Sequence, residues 1–468
     1  MTKQNNKSNS SVDKMEKIVS LCKRRGFVFP NSEIYGGMAN SWDYGPVGVE
    51  LKNNIKQLWW KFFVQSREDI LGIDGAIISN PKVWEASGHT EGFNDMLVDC
   101  KKCKERFRVD HLIEEQTNLK MEGKSAGELA DILLKKEIKC PSCNKPDWTK
   151  PKNFNLLFKT HIGPVEDDGS IAYLRGETAQ NMFVDFKNIL NSNPKKLPFG
   201  LAQIGKAFRN EITTGNFIFR VREFEQMEIE YFIQPDADWK KIFENWLKEM
   251  KKWMDLIGVN KKSYSIRQHG KKELSHYSKK TVDIEYNFPF GTKELYGLAY
   301  RTDYDLSQHQ KKSGQDLTYF DEEKNKRFLP HVIEPTFGVD RTFLMLLCEA
   351  YTEEKVKDNE KRMVLKLKPS IAPYKVAVFP LLKNKKELVN KAREVYKELS
   401  SHFNAFWDDR GNIGKRYRYQ DEIGTPYCVT VDFDSIKDDS VTVRDRDSMK
   451  QERMKVEELG GWLEERIK

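Results

Sequence analysis

Long apolar runs are missing from this sequence. Hydrophobic residues make up 38% of its 468 residues, and no stretch approaches the roughly 18 consecutive apolar residues that a membrane-spanning helix needs. The first eleven residues, MTKQNNKSNSS, contain no apolar segment, which is unlike a secretory signal. We therefore expect a cytoplasmic protein without a membrane partner, with a disordered N-terminal tail over residues 1–13.

The sequence also has few cysteines and a small net charge. The seven cysteines are too few and too clustered to form a disulfide framework in a chain of this length. Lys and Arg number 79 and Asp and Glu number 71, so the formal net charge is only +8. This mild excess permits a nucleic-acid partner but does not argue for one. The chain is too long to fold around a single hydrophobic core of ordinary size, which predicts two or three domains.

The order of the predicted elements separates two domains. Up to about residue 350, short strands mix with helices without regular alternation, which favours an antiparallel sheet flanked by helices, an α+β fold, over 14–355. Two insertions are expected in it, at about 100–150 and at 261–330. A charged and then proline-punctuated stretch predicts a linker over 356–373. A strand–helix–strand pattern with further strands then predicts a small α/β domain over 374–468.

One predicted hairpin, GKAFRNEITTGNFIFRVREFEQME at 205–228, carries an unusual density of charge. Alternation on the return strand groups arginines near the turn with carboxylates further in and Phe224 between them. Arginine suits phosphate oxygens, an aromatic ring suits a base, and carboxylates suit an ammonium group, so the surface fits a nucleotide joined to an amine. An exposed salt-bridge ladder is the alternative, and such pairs contribute little.

Four of the cysteines form two CxxC pairs separated by 36 residues. Four thiolates in this arrangement suit a tetrahedral, structural Zn²⁺, because they leave no open coordination position. The segment between the pairs is longer than in most zinc ribbons, so a helical insert is expected within it. Reduced cysteines without a metal are the alternative. The predicted ligands are Cys100, Cys103, Cys140 and Cys143.

The hairpin resembles motif 2 of the class II aminoacyl-tRNA synthetases, with FRNE at 208–211. IEPTFGVDRTFLMLL at 333–347 is similar to motif 3, with Arg341 at the start of its helix, and YGPVGVELKNNIKQLWWKFF at 44–63 is similar to the motif 1 dimerisation helix. Longer phrases, including VWEASGH, RGETAQ, EFEQMEIEYF and GNIGKRYRYQDEIGTP, resemble the dimeric type of glycyl-tRNA synthetase over nearly the whole chain from about residue 14.

This resemblance implies that a homodimer attaches glycine to tRNA(Gly) through glycyl-adenylate, using ATP and Mg²⁺. Arg209 and Arg341 would be catalytic. The implied ATP-binding residues are Arg209, Asn210, Glu211, Phe219, Arg220, Val221, Arg222, Glu223, Phe224, Glu294, Leu295, Gly338, Val339, Asp340 and Arg341. The implied glycine-binding residues are Arg108, Glu177, Phe224, Glu225, Gln226, Met227, Glu228, Glu334 and Thr336, and serine is the expected residue where Thr336 stands.

Three further features leave alternatives open. Cations and tyrosines alternate over 410–419, which suits a single-stranded anticodon loop, although flanking carboxylates also fit a salt-bridged surface. His89 in ASGHTEGF is the most suggestive histidine, yet a cap or loop role explains it better. Arg301 in AYRTDYDL is a weaker candidate for the site. The rival functions are a catalytically inactive, synthetase-like nucleic-acid-binding accessory protein and an enzyme that makes adenylates without tRNA.

Overall fold

The structure is a computed structural model. It describes residues 2–117, 119, 121, 124–193, 195–212, 215–270, 273–275, 277–356 and 361–467, and the side chains of residues 2–12 lie outside the description. No described helix is long and apolar enough to cross a bilayer.

The first group of elements surrounds the predicted motif 1 helix, α2, which Pro46 opens at its first turn and which a π-helical turn over Lys61–Gln65 extends. The group comprises α1 (Thr2–Arg25), β1 (Val28–Pro30), β2 (Trp42–Tyr44), α2 (Pro46–Trp60), β3 (Ile70–Gly72), β4 (Ile78–Ser79), α3 (Pro81–Ala86) and α4 (His89–Gly92). The expectation of a disordered tail over 1–13 is corrected, because the backbone is already helical from Thr2. Polar turns can extend a helix that is nucleated by its packed C-terminal part, since each added turn forms its own backbone hydrogen bonds.

The four paired cysteines lie in a small module with its own core. Its elements are β5 (Asn94–Asp99), β6 (Arg106–Arg108), α5 (Val109–Thr117), α6 (Ala126–Lys135) and β7 (Lys152–Asn155). The strands pair antiparallel in the order β6-β5-β7. The predicted helical insert is confirmed at α6, which Ser125 caps together with Glu128; residues 118, 120, 122 and 123 of that segment lie outside the described residues.

The next group builds the main sheet. It comprises β8 (Phe158–His161), β9 (Ile171–Leu174), α7 (Ala179–Val184), α8 (Phe186–Ser192), β10 (Phe199–Phe208), β11 (Glu223–Ile233), α9 (Trp239–Leu256), β12 (Tyr264–Gln268), β13 (Lys280–Phe288), β14 (Gly291–Thr302), α10 (Tyr304–Ser313), β15 (Tyr319–Asp321), β16 (Lys326–Phe328), β17 (His331–Gly338), α11 (Val339–Ala350), β18 (Tyr351–Lys355) and β19 (Lys361–Leu365). Seven strands form one sheet in the order β12-β13-β14-β17-β11-β10-β3. All its pairs are antiparallel except β10 with β3, which confirms the predicted antiparallel core.

Alternation along the strands divides this sheet into a core face and a polar face. On β11, Met227, Ile229 and Tyr231 join the main hydrophobic core together with residues of α2, α9 and α11. The intervening side chains, such as Gln226 and Glu228, point to the other face. The side chains predicted to bind substrate on β11 and β17 therefore emerge from a sheet whose reverse side is anchored in the largest core of the molecule.

Two expectations about this region are corrected. Residues 261–330 are not an insertion, because β12, β13 and β14 are three strands of the main sheet; their lysine-rich and tyrosine-rich pattern reflects one polar face. The hairpin strands are also shorter than expected. β10 ends at Phe208 and β11 begins at Glu223, so the arginines near the turn lie on a loop, and residues 213 and 214 of that turn lie outside the description.

The last group forms the small α/β domain. Its elements are β20 (Val376–Pro380), α12 (Lys386–Ser400), β21 (Ala405–Trp407), α13 (Ile413–Ile423), β22 (Tyr427–Val431), α14 (Phe433–Asp438), β23 (Ser440–Asp445), β24 (Gln451–Lys455) and α15 (Val456–Ile467). The sheet order is β21-β20-β22-β23-β24. Part of the expected linker over 356–373 is ordered as β19, which pairs with β18; residues 357–360 of it lie outside the description.

Candidate active site

A cavity of about 430 Å³ opens on the polar face of the seven-stranded sheet. Its walls come from β11, β14, β17, the start of α11 and the loop between β10 and β11. The structure brings together most of the residues that the sequence singled out. These are Glu177, Arg209, Glu211, Phe219, Arg220, Val221, Phe224, Glu225, Gln226, Glu228, Glu294, Leu295, Glu334, Thr336, Gly338, Asp340 and Arg341.

One end of the cavity is rich in buried carboxylates, and Glu228 lies at its centre. Its side chain accepts hydrogen bonds from two hydroxyl groups, Thr178 Oγ1 and Thr336 Oγ1, the latter at 2.9 Å. Burial and the adjacent carboxylates of Glu334 and Glu177 raise the pKa of Glu228 to about 8. A cation placed beside Glu228 would therefore lower this pKa and favour the ionised carboxylate.

Glu334 is neutralised on one side by a buried arginine. Arg301 Nη1 donates to Glu334 Oε2 at 2.6 Å, and its remaining donors bind both oxygens of Asp305 at 2.8 Å. Thr336 Oγ1 also lies 3.0 Å from Glu334 Oε1. Arg301, a weaker candidate in the sequence, is therefore the cation that permits several acidic groups to share this end.

Glu177 completes the carboxylate end from a different direction, just before α7. His89 Nε2 lies 3.3 Å from Glu177 Oε2, and Gln180 Nε2 donates to the other carboxylate oxygen at 2.9 Å. Burial alone would raise the pKa of Glu177, but His89 and Arg301 hold it well below its usual value. Glu177 is thus an ionised carboxylate with both oxygens oriented.

Glu230 lies behind these residues on the same face of β11, and its carboxylate is within 4.8 Å of those of Glu228 and Glu334. Its side chain is fully buried, and neither oxygen has a hydrogen-bond partner among the described residues. Burial and Glu334 raise the pKa of Glu230 well above its usual value. Burial and the neighbouring carboxylate therefore favour the neutral form of Glu230.

The other end of the cavity carries arginines and aromatic rings. The guanidinium of Arg209 lies between the rings of Phe93 and Phe224, at 5.1 and 5.2 Å from their centroids, and its Nε donates to the Gly176 carbonyl at 3.0 Å. Such contacts fix a planar cation without neutralising it. Arg209 stands between the carboxylate end and the arginine end.

Arg341, the third residue of α11, lies over the ring of Phe219 at 4.6 Å and donates to the Glu294 carbonyl at 3.1 Å. Burial, with the nearby guanidinium groups of Arg108 and Arg341, lowers the pKa of Arg220. Glu211 Oε2 is buried and accepts no hydrogen bond from a described residue. This end therefore offers cations for phosphate and one open acceptor for an amino group.

Six of the predicted site residues do not line the cavity, and in each case their contacts explain why. Arg222 donates to the carbonyls of Glu211 and Ala39, and Arg108 pairs with Asp95 and Asp110. Met227 and Val339 pack in the main core. Glu223 pairs with Lys206 at the surface, and the backbone N–H of Asn210 donates to the Leu156 carbonyl. These six residues are Arg108, Asn210, Arg222, Glu223, Met227 and Val339.

The sequence predicted Glu294 and Leu295 of β14, but it missed the rest of this cavity wall, which lies on β13, on the segment between β12 and β13 and further along β14. His269 and Asp283, whose Nε2 and Oδ2 atoms are 2.6 Å apart, line the cavity with Tyr277 and Gly297. Residues 261–330 were expected to be an insertion outside the main sheet, so the sequence did not predict that the rest of this wall lines the cavity. The regular alternation of GTKELYGLAYRT at 291–302 was the available signal, because it is typical of a strand with one buried face.

The chain is similar to known proteins over nearly its whole length. The chain matches a tRNA synthetase class II core domain of the G, H, P, S and T type over residues 164–351, which contains most of the cavity, and an anticodon binding domain over 375–466. It is 53% identical to the glycine–tRNA ligase of Lachnoclostridium phytofermentans over 460 residues, covering 97% of this chain and 99% of that protein. It is 54% identical to the glycine–tRNA ligase of Clostridium acetobutylicum over 464 residues, with the same coverage.

The chain belongs to the glycine–tRNA ligase family. The similarity extends to the glycine–tRNA ligase of Geobacillus thermodenitrificans, at 53% identity over 458 residues and 97% of each chain. The class II core fold and the C-terminal anticodon-binding domain expected from the sequence are both confirmed.

The cysteine module of this glycine–tRNA ligase family member brings its four thiols together. The Sγ atoms lie within 4.8 Å of one another, and the pairs Cys100–Cys143 and Cys103–Cys140 are each 3.5 Å apart. Tetrahedral Zn–S bonds of about 2.3 Å separate the sulfurs by about 3.8 Å. Both CxxC turns end on a residue with positive φ, Lys104 and Asn144. The donor set and its geometry fit zinc.

The basic cluster at 410–419 of this glycine–tRNA ligase family member is only partly exposed. Arg416 is buried and donates to the Pro380 carbonyl at 2.6 Å, so it holds the domain together. Other members of the cluster face a groove beside α13, to which α1 contributes Arg25. The lining of this groove includes the cations Arg25, Arg410, Lys415, Arg416 and Arg418, the ring of Tyr419, and the carboxylate of Asp408, which pairs with Arg410 at 3.0 Å.

Proposed function

We infer that the chain attaches glycine to tRNA(Gly) in two steps within one cavity. The glycine carboxylate attacks the α-phosphorus of ATP, the bond to the β-phosphate breaks, and pyrophosphate leaves with glycyl-adenylate remaining. A hydroxyl of the tRNA 3′-terminal ribose then attacks the glycyl carbonyl, and AMP leaves. The observation that supports this reaction is the cavity itself, in which a carboxylate end for an ammonium adjoins an arginine end for phosphates.

The arginines are proposed to allow two anions to meet. Arg209 binds the α-phosphate and the glycine carboxylate, because it stands between the two ends. Arg341 and Arg220 bind the β- and γ-phosphates, and Mg²⁺, bound to the phosphate oxygens, offsets the remaining charge. Catalysis of this kind is mainly positioning and electrostatic stabilisation.

The base and the amino acid are proposed to bind at opposite ends. Phe224 offers a ring on which adenine stacks, and the open acceptor on Glu211 receives a hydrogen bond from its amino group. Glu177, Glu228 and Glu334 bind the glycine ammonium. Larger amino acids are excluded by steric clash with the walls of the pocket. A difference in attraction alone would not suffice, since one methylene bound in a pocket changes the binding free energy by only about 1–3 kcal/mol.

An ATP–pyrophosphate exchange assay with each amino acid tests the first step, and charging of purified tRNA(Gly) tests the second. We expect exchange with glycine alone and charging of tRNA(Gly). Exchange with another amino acid, or none at all, would contradict the proposal. No feature of the described residues favours an inactive accessory protein, because such a protein needs no complete set of arginines and carboxylates.

The four cysteines are proposed to hold one structural Zn²⁺. The support is the tetrahedral spacing of the sulfurs and the two similar turns that carry them. Elemental analysis of gently prepared, reduced protein should find about one zinc per chain, and C140S should lose it. Metal-free protein with four titratable thiols and full thermal stability would contradict this assignment.

A homodimer is proposed from the resemblance of α2 to a dimerisation helix. Large apolar side chains in the segment between β1 and β2, which precedes α2 in the sequence, are exposed in the single chain, notably Ile34 at 88% and Tyr35 at 86%. Light scattering at micromolar concentration should give twice the chain mass of 54.8 kDa. We also propose that the groove beside α13 binds the anticodon loop of the tRNA. The cytoplasmic location stays a prediction.

A further inference from the structure

The segment of α3 and α4 reaches the carboxylate end of the cavity from outside the matched class II core. His89, the first residue of α4, keeps only 10% of its side chain exposed, and its Nε2 is 3.3 Å from Glu177 Oε2. At this distance an N–H at Nε2 attracts the ionised carboxylate, whereas a ring nitrogen without a hydrogen would repel it. The contact joins two residues that are far apart in the sequence.

The orientation of the His89 ring is fixed on every side. Its Nδ1 is 2.8 Å from Ser87 Oγ, and the rings of Trp84 and Phe93 meet it edge-on, at centroid distances of 5.3 and 5.1 Å. The backbone is also held, since Asn155 Nδ2 donates to the His89 carbonyl at 2.9 Å. A cap role does not account for this arrangement, because the N-cap residue of α4 is Gly88 and the His89 ring contacts the Ser87 hydroxyl.

The second oxygen of Glu177 is held by a matching buried pair. Gln180 Nε2 donates to Glu177 Oε1 at 2.9 Å, and Gln180 Oε1 is 2.7 Å from His309 Nε2. The amide of Gln180 cannot turn over without placing its oxygen against the carboxylates of Glu177 and Asp305. Glu177 is therefore oriented at both oxygens, by His89 on one side and by Gln180 on the other.

We propose that His89 is a positioning residue that sets the direction of the Glu177 carboxylate toward the glycine ammonium. The proposal rests on the proposed function, because it concerns the same site. His89 does not touch the substrate; it acts through Glu177. A glycine-specific pocket gains from this arrangement, since a carboxylate already oriented does not have to be ordered when the small substrate binds.

A matched pair of substitutions separates positioning from a structural role. In H89Q the side-chain amide reaches the place of Nε2, whereas in H89N it reaches only the place of Nδ1. We expect H89N to raise the KM for glycine in pyrophosphate exchange by about tenfold, because the ionised Glu177 carboxylate loses the ring N–H that faces it. We expect H89Q to stay within about threefold, with the KM for ATP unchanged within twofold in both.

His161, the last residue of β8, provides the control, because its Nδ1 is 3.0 Å from Ser170 Oγ, in an arrangement similar to that of His89 with Ser87. H161N should leave both KM values unchanged. A glycine KM for H89N equal to that of the wild type would overturn the inference, as would a parallel rise in the KM for ATP. If H89N does not fold, S87A tests the same point through the loss of one ring contact: a rise of about threefold in glycine KM supports the inference, and no change refutes it.

The outcomes distinguish this inference from the proposed function. Wild-type protein that fails to activate glycine would refute the proposed function, and the inference with it. Active wild-type protein with an unaffected H89N variant would refute the inference alone.

Discussion

The two ends of the cavity are built in different ways. At the carboxylate end Arg301 is 1% exposed and contacts Glu334 and Asp305, and hydroxyl or amide donors hold Glu177 and Glu228. At the arginine end Arg341 keeps 26% of its side chain exposed and lies 3.3 Å from the half-exposed Glu294 carboxylate, and it also contacts an aromatic ring and a backbone carbonyl.

The difference fits the two proposed ligands. Glycine offers one ammonium and no side chain, so its recognition depends on a few buried, oriented charges whose effect is large in a low-dielectric site. A triphosphate carries several charges and arrives with Mg²⁺, so cations that remain partly solvated can bind it. Substitutions at the two ends should therefore change different kinetic constants.

The largest effect is expected at the arginine end. R341A removes a cation at the start of α11, where the helix dipole also favours phosphate, so exchange should fall by about 100- to 1000-fold, as when one transition-state donor is removed. R327A is the control, because Arg327 lies over the ring of Phe320 at 5.2 Å, away from the cavity. Circular dichroism checks that the fold is kept; a folded R341A with normal exchange would remove Arg341 from the mechanism.

At the carboxylate end, E228Q should lower kcat/KM for glycine by about ten- to a hundredfold. The substitution keeps the shape and removes a charge-assisted hydrogen bond worth about 1.5–3 kcal/mol. The KM for ATP should change less than twofold. E249Q on α9, which breaks a surface pair with Lys252, is the control. Unchanged glycine kinetics in E228Q would show that the ammonium binds elsewhere, and Glu230 would become the candidate.

The pH dependence should distinguish the two ends without any mutation. Glu228 has a pKa of about 8 in the free protein, so below that pH it is mostly neutral and must lose its proton to pair with an ammonium. The KM for glycine should thus fall as the pH rises, by about tenfold between pH 6 and 7, and level off above about pH 8. The KM for ATP should lack this step, and E228Q should flatten it. A glycine KM independent of pH over this range would show that Glu228 is ionised throughout.

Local patterns and the resemblance predicted the residues that project from single strands and helices. Glu228 and Gln226 follow from alternation on β11, and Arg341 follows from its place at the start of a hydrophobic helix. The antiparallel core and the separate C-terminal domain follow from the order of the elements. In each case the signal lies within a short stretch of sequence.

Contacts between distant segments were not predictable in this way. The pairs His89–Glu177 and Gln180–His309 join residues about 90 and 130 positions apart, and nothing local marks them as partners. Arg222 was grouped with Arg220 because they alternate in the sequence, but the loop turns Arg222 toward backbone carbonyls. Side-chain direction on a loop depends on tertiary packing, so alternation fails where a strand ends.

The smallest effect is expected at Thr336, where the resemblance leads us to expect serine. Its Oγ1 is 2.9 Å from Glu228 Oε1 and 3.0 Å from Glu334 Oε1. The one hydroxyl hydrogen is therefore shared between the two carboxyl groups. T336S keeps the hydroxyl and removes one methyl, so the KM for glycine should stay within about twofold while alanine activation rises by several-fold, since a methyl group in a pocket is worth about 1–3 kcal/mol. T336V keeps the volume and removes the hydroxyl, so glycine KM should rise by about tenfold with no gain for alanine. Exchange assays with glycine and alanine on both variants decide between hydroxyl and volume: an unchanged alanine rate in T336S would show that the wall against larger amino acids lies elsewhere in the pocket.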